Sequence, residues 1–202
     1  EQAKDELILA ERIEALARPG DWCEFGGSLP PGITVDIWLR LAKLLVNKGV
    51  NIVIDVAGSQ LGQILKRWPK EVMIKPNRPE LEELVGRPLK HDHNEVLKAA
   101  EELRDGGVQR VVVSMGAEGA LIIGPEGRWL ATPPKVQVAT TVGAGDTLVA
   151  GTIARLLQGS PFPDAAVFGM ACAAARIQQI EFGLPSVQQV ETLVKQIKVS
   201  PR

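Results

Sequence analysis

Residues 51–55 read Asn-Ile-Val-Ile-Asp, a nearly unbroken apolar run ending in an acid. A strand that is apolar on both faces suits a parallel sheet covered by helices on both sides. The neighbouring segments repeat this logic. Asp36 to Asn47 reads as a helix stopped by Gly49, and a short helix is expected over 59–67. Val72 to Ile74 is the next strand, and Glu80 to Leu84 sits in a short helix. Residues 94–105 form a further helix closed by Gly106 and Gly107, and Val111 to Ser114 is a buried strand. Upstream, Leu9, Ile13 and Leu16 mark one face of a helix over 3–18, which Pro19 and Gly20 end. A strand over 22–25 then runs into the turn-rich loop 26–32, Gly-Gly-Ser-Leu-Pro-Pro-Gly. Downstream, Ala120–Ile123 and Arg128–Ala131 bracket Gly-Pro-Glu-Gly and predict a hairpin. Residues 135–139 are expected to add a strand, and 144–158, 163–179 and 186–199 read as helices. This alternation predicts an α/β fold with a mostly parallel sheet.

The chain has 202 residues, of which 45% are hydrophobic and 23% charged, enough for a packed core and unlike a disordered chain. Lys plus Arg is 23 and Asp plus Glu is 24, so the net charge is -1 and no basic footprint for nucleic acid exists. No run of 18 uncharged apolar residues is present, which argues against a membrane span. Cys23 and Cys172 are too few for a disulfide framework and read as buried reduced thiols. The charged opening stretch is unlike a secretory signal, and the expectation is a cytoplasmic protein.

Four segments carry chemistry. The sharpest is Thr140-Thr141-Val142-Gly143-Ala144-Gly145-Asp146-Thr147, where an extended segment opens a helix. Its glycines permit close approach, and a first helical turn leaves backbone N–H groups for an anion. Asp146 there suits a base for a hydroxyl, and a plain helix cap is the alternative. The loop is neither a Walker A motif nor a dinucleotide fingerprint, because no Gly-Lys-Ser/Thr follows and the glycine spacing differs.

Ser114 to Gly119 leaves a strand at its carboxyl end, where α/β sheets bind ligands; an ordinary turn also accounts for it. Lys75-Pro76-Asn77-Arg78-Pro79-Glu80 follows the strand 72–74. Asn77 and Glu80 suit Mg2+ held through its waters, and Lys75 suits phosphate oxygens. Otherwise the pair is a capping box and Lys75 is solvated. Asp55 is a further candidate at a strand end, or a turn-forming acid. His91 and His93 read as part of a solvated polar loop. The four tryptophans are scattered and read as packing residues.

Taken together, Gly27 to Gly32, Lys75-Pro76-Asn77 with Glu80, Ser114 to Gly119 and Thr141 to Asp146 resemble the ribokinase-like (PfkB-type) carbohydrate kinases. The phosphosugar branch is the nearest likeness, because Thr140 stands where many sugar and nucleoside kinases carry Asp. The resemblance implies a three-layer α/β/α core without the family's β-sheet lid. It implies one nucleotide-binding domain over 1–202, corresponding to the carboxyl-terminal two-thirds of the family fold. It makes Asp146 the base and Gly143, Ala144 and Gly145 the anion hole. It assigns Lys75, Asn77, Ser114, Gly116, Ala117, Glu118, Gly119 and Gly145 to ATP, and Asn77 with Glu80 to Mg2+ through water. Glu181 to Pro185 partly matches a segment beside the adenine, without its usual Gly-Thr. The implied reaction is transfer of the γ-phosphoryl group of ATP to a ketohexose phosphate, with a nucleotide-binding remnant lacking kinase activity as the alternative. The implied partners are small molecules and, by association, further copies of the chain.

Overall fold

Strands 51–55, 72–74 and 111–114 do lie side by side, in a computed structural model that describes residues 2–68, 71–180 and 183–202. The described elements are α1 (Gln2–Leu16), β1 (Trp22–Gly26), α2 (Asp36–Asn47), β2 (Asn51–Asp55), α3 (Gly58–Arg67) and β3 (Val72–Ile74). Then come α4 (Arg78–Val85), α5 (His93–Asp105), β4 (Arg110–Ser114), a 3-10 turn (Gly116–Glu118), β5 (Ala120–Gly124) and β6 (Gly127–Thr132). The chain continues through α6 (Ala144–Leu157), α7 (Phe162–Arg176), α8 (Val187–Val194) and β7 (Lys198–Pro201).

One seven-stranded sheet runs in sequence order. β1 to β4 are parallel, β5 turns back as the hairpin partner of β4, β6 returns and β7 opposes β6. The sheet is therefore mixed: β-α-β crossovers join the parallel strands, short turns join β4 to β5 and β5 to β6, and β7 reaches the β6 edge only after α6 to α8.

Alternation along each strand divides the core in two. Ile52, Ile54, Val72, Ile74, Val111 and Val113 face α2 to α5, whereas Val53, Met73 and Val112 face α6 to α8. Helix α2 meets its side with Trp38, Leu41, Ala42 and Leu45, the spacing of one helical face. Helices α6 and α7 pack closely through glycines. A Cβ on Gly169 would come 2.3 Å from the Leu148 carbonyl oxygen and from Thr152 Oγ1.

Two sequence expectations are corrected. Residues 135–139 form no strand; the segment is tied to the end of α7 by the Ala139 and Thr140 N–H groups donating to the Ile177 carbonyl. The helix expected over 186–199 stops at Val194, and Lys198–Pro201 pairs with β6 instead. The edge of β6 supplies backbone partners that the local pattern does not reveal. Cys172 is buried, whereas Cys23 is only half-buried.

Gly169→Ala is expected to destabilise the protein by about 1–3 kcal/mol through overpacking at the α6–α7 contact. Denaturant unfolding measures this, and a surface change such as Gln189→Ala in α8 serves as the control.

Candidate active site

The carboxyl ends of β1 to β4 and the start of α6 gather the candidate residues. Lys75 follows the last residue of β3 and is buried, not solvated. Its Nζ lies 3.2 Å from Asp55 Oδ1 at the end of β2. A Cβ on Gly145 would lie 3.1 Å from the same Nζ. The ammonium is thus pressed against the first turn of α6, and glycine at 145 leaves it room.

Gly143 precedes α6 with φ 77° and ψ 5°, a left-handed conformation that glycine adopts without strain. No side chain caps this helix. The Ala144 N–H reaches the Thr141 carbonyl at 3.3 Å, and Thr147 Oγ1 donates to the Gly143 carbonyl at 2.6 Å. Among the described residues, the N–H groups of Gly145 and Asp146 meet no protein acceptor. They point out of the positive end of a helix. Buried Arg176 adds positive charge behind the loop: a Cβ on Gly143 would lie 3.7 Å from its Nε. Asp146 is exposed in this first turn.

Asn77 and Glu80 complete a capping box at the start of α4. Asn77 Oδ1 accepts from the Glu80 N–H at 2.9 Å, and Glu80 Oε2 accepts from the Asn77 N–H at 2.8 Å. Asn77 also bridges to Ser114, whose N–H donates to the Pro76 carbonyl at 3.0 Å. These bonds join the two strand-end loops. Gly116, Ala117 and Glu118 form the exposed 3-10 turn. Gly119 closes the turn at φ 104°, where a Cβ would strike the Ala131 carbonyl oxygen at 2.0 Å. Of the segment 181–185, Glu181 and Phe182 lie outside the described residues, and Leu184 is exposed.

Acidic charge exceeds the single lysine here. Burial is the main force raising the Asp55 pKa; Lys75 opposes it, while Glu80 and Asp146 add to it. Glu24, in β1, is exposed at the surface, yet its pKa is raised, by partial desolvation first, then by Asp55 and Asp146, with Lys75 opposing. Lys75, Glu80 and Asp146 therefore converge on Asp55, as the sequence order alone does not require. Among the described residues, no three His, Cys, Asp or Glu side chains are placed to ligate a metal directly. The excess of carboxylates suits a hard cation carried with its water shell.

Sequence reasoning missed Glu24, Arg176 and Arg78. An acid inside the otherwise apolar strand Trp-Cys-Glu-Phe was the one available signal for Glu24. His91 is exposed, as expected of a solvated polar loop, whereas half-buried His93 opens α5; a ring nitrogen of each lies within 4 Å of the Glu118 carboxylate.

The pfkB family carbohydrate kinase profile matches residues 1–188. A 1-phosphofructokinase of Escherichia coli (strain K12) is 35% identical over 175 residues, covering 87% of this chain and 55% of that protein. The chain thus spans about half the length of the curated relatives it matches. The crystal structure of phosphofructokinase-2 from Escherichia coli in complex with potassium superposes with a TM-score of 0.86 at 29% identity. It covers 95% of this chain and 62% of that one. The same enzyme in complex with fructose-6-phosphate gives 0.84 at 28% identity, covering 95% and 61%. No helix among the described residues is long and apolar enough to cross a membrane.

The raised Glu24 pKa has a defined consequence for stability. The folded state holds this proton more tightly than the unfolded state, so stability falls as pH rises from the ordinary value of 4.5 through the raised one. Glu24→Gln removes that loss. The variant is expected to melt above the parent at neutral pH, with the difference vanishing below 4.5. Thermal melts across this range check it; a pH-independent difference excludes the electrostatic cause.

Proposed function

This chain belongs to the pfkB family of carbohydrate kinases, and on that premise we propose that it carries the nucleotide and base portion of an ATP-dependent kinase acting on a ketohexose phosphate. The observation that carries the reading is the meeting of Lys75, the acceptor-free N–H groups of Gly145 and Asp146, and the Asp146 carboxylate at one helix start. Fructose 1-phosphate, fructose 6-phosphate and tagatose 6-phosphate are the acceptors to compare. The named activity of the 1-phosphofructokinase relative and the fructose-6-phosphate complex of the structural neighbour support the first two.

Bound Mg-ATP supplies the phosphoryl group and a counter-charge for its oxygens. The protein positions and neutralises, which is most of what phosphoryl transfer requires. Lys75 and the acceptor-free N–H groups of Gly145 and Asp146 take up negative charge around the phosphate being transferred. Asp146 orients the acceptor hydroxyl and accepts its proton. Asn77 and Glu80, held in place by their capping box, hold the waters of the cation. Backbone from Ser114, Gly116, Ala117, Glu118 and Gly119 lines the nucleotide. Asp55 holds Lys75 at the phosphate and keeps its ammonium compensated when the site is empty of anion.

In the protein carrying this chain, Asp146→Asn is expected to lower kcat by roughly 10²–10⁴-fold. Mg-ATP affinity is expected to change much less. A coupled ADP-release assay with the three sugar phosphates, beside calorimetric ATP binding, tests both. Nucleotide binding without transfer to any sugar phosphate overturns the kinase reading and leaves a binding protein.

A further inference from the structure

The guanidinium of Arg78 is buried at the start of α4, one residue after the cap Asn77. Its side chain is 10% exposed, yet it pairs with Glu118, whose side chain is 43% exposed on the 3-10 turn. Nη2 donates to both carboxylate oxygens, at 3.1 and 3.0 Å. Nη1 donates to His91 Nδ1. His93 Nε2 lies 3.4 Å from Glu118 Oε2, and His91 Nδ1 3.8 Å from Oε1. Arg78 Nε and His93 Nε2 are buried without a hydrogen-bond acceptor among the described residues. Hydrogen bonding from Arg78 is the main force holding the Glu118 carboxyl below its usual range, with the nearby positive charge of Arg78 adding to it.

These contacts span three elements. Arg78 begins α4, His91 precedes α5, His93 opens α5, and Glu118 ends the turn after β4. Both ends of the turn are glycines with positive φ, Gly116 at 58° and Gly119 at 104°. If Glu118 swings away, Arg78 becomes a buried cation without its carboxylate, which is strongly unfavourable. The buried charge therefore acts as a tether on an exposed turn. No cation site is implied, because Arg78 already occupies the centre of the histidine–glutamate cluster.

We infer that Arg78 is a positioning residue: through Glu118 it clamps the 116–119 turn in the shape that receives the nucleotide. This rests on the nucleotide-site reading above. A loop ordered before binding loses less freedom on binding, so the clamp acts on affinity and not on the chemical step. Its place beside Asn77, whose backbone bridges to Ser114, lets one short segment set both the metal-water side and the nucleotide side of the site.

Arg78→Gln, Arg78→Lys, Glu118→Gln and the Arg78→Gln/Glu118→Gln double variant are to be compared in the protein carrying this chain. Calorimetric Mg-ADP binding, KM for ATP, kcat and amide exchange over 116–119 are the readouts. Arg78→Gln is expected to weaken Mg-ADP and raise KM for ATP roughly tenfold. Its kcat should stay within about twofold of the parent, and exchange at the turn should accelerate. Arg78→Lys should recover part of the loss. The double variant should be no worse than Arg78→Gln, since both changes break one pair. Unaltered Mg-ADP affinity in folded Arg78→Gln, or strictly additive losses in the double variant, overturns the clamp while the kinase reading stands. If Arg78→Gln fails to fold, unaltered exchange and Mg-ADP affinity in Glu118→Gln overturn it. A parent protein that binds no adenine nucleotide overturns both readings together.

Discussion

A lysine placed among the strand ends of an α/β sheet must be compensated before the surrounding chain can close over it. In this protein Lys75 is compensated by Asp55 from the neighbouring strand, at 3.2 Å, and by nothing bulkier than a glycine on its other side. The approach to Gly145 fixes where α6 can begin. The pairing of β2 with β3 fixes where Asp55 can stand. One buried ion pair thus ties two adjacent strands to the helix that arrives some seventy residues later in the chain. An isolated buried ammonium would be costly, so these three pieces hold one another in register.

The same requirement shapes the rest of the site. Helix α6 reaches the sheet ends because Gly151 and Gly169 let it lie close to α7. A Cβ at 151 would meet Cys172 Sγ at 2.8 Å. The uncapped first turn of α6 lies against Lys75 at Gly145, and the Asp55 and Glu24 carboxylates feel its Asp146. Positive backbone dipole, one ammonium and several acids then share a small volume. Such a mixture is poorly balanced by itself and well suited to a phosphate brought in with a cation. Asn77 and Glu80 join it with their conformations already set by the capping box.

A second buried cation, Arg78, repeats the principle at longer reach. Lys75 binds secondary-structure elements together, whereas Arg78 holds a glycine-bounded turn to the start of a helix. Both residues lie in one six-residue segment after β3. The end of a central parallel strand can touch loops on either side, and this segment uses both neighbours: Asp55 after β2 and Ser114 with Glu118 after β4.

Much of this was legible in the chain itself. The apolar run 51–55, the helical face of Trp38, Leu41, Ala42 and Leu45, the hairpin around 124–127 and the Asn77–Glu80 capping pattern depend on residues a few positions apart. Periodicity and capping act over that range, so sequence determines them. The candidate loops at 75–80, 114–119 and 140–147 stood out for the same reason, as turn residues beyond apolar runs. Only the tertiary structure decided that Lys198–Pro201 joins the sheet while 135–139 does not, because strand pairing depends on which distant edge is free. It alone decided that Lys75 is buried, that Glu24 feels Asp146, and that His91 and His93 turn toward Glu118. Burial and electrostatic coupling are properties of neighbours in space, and these neighbours come from segments tens of residues apart whose meeting no local pattern records.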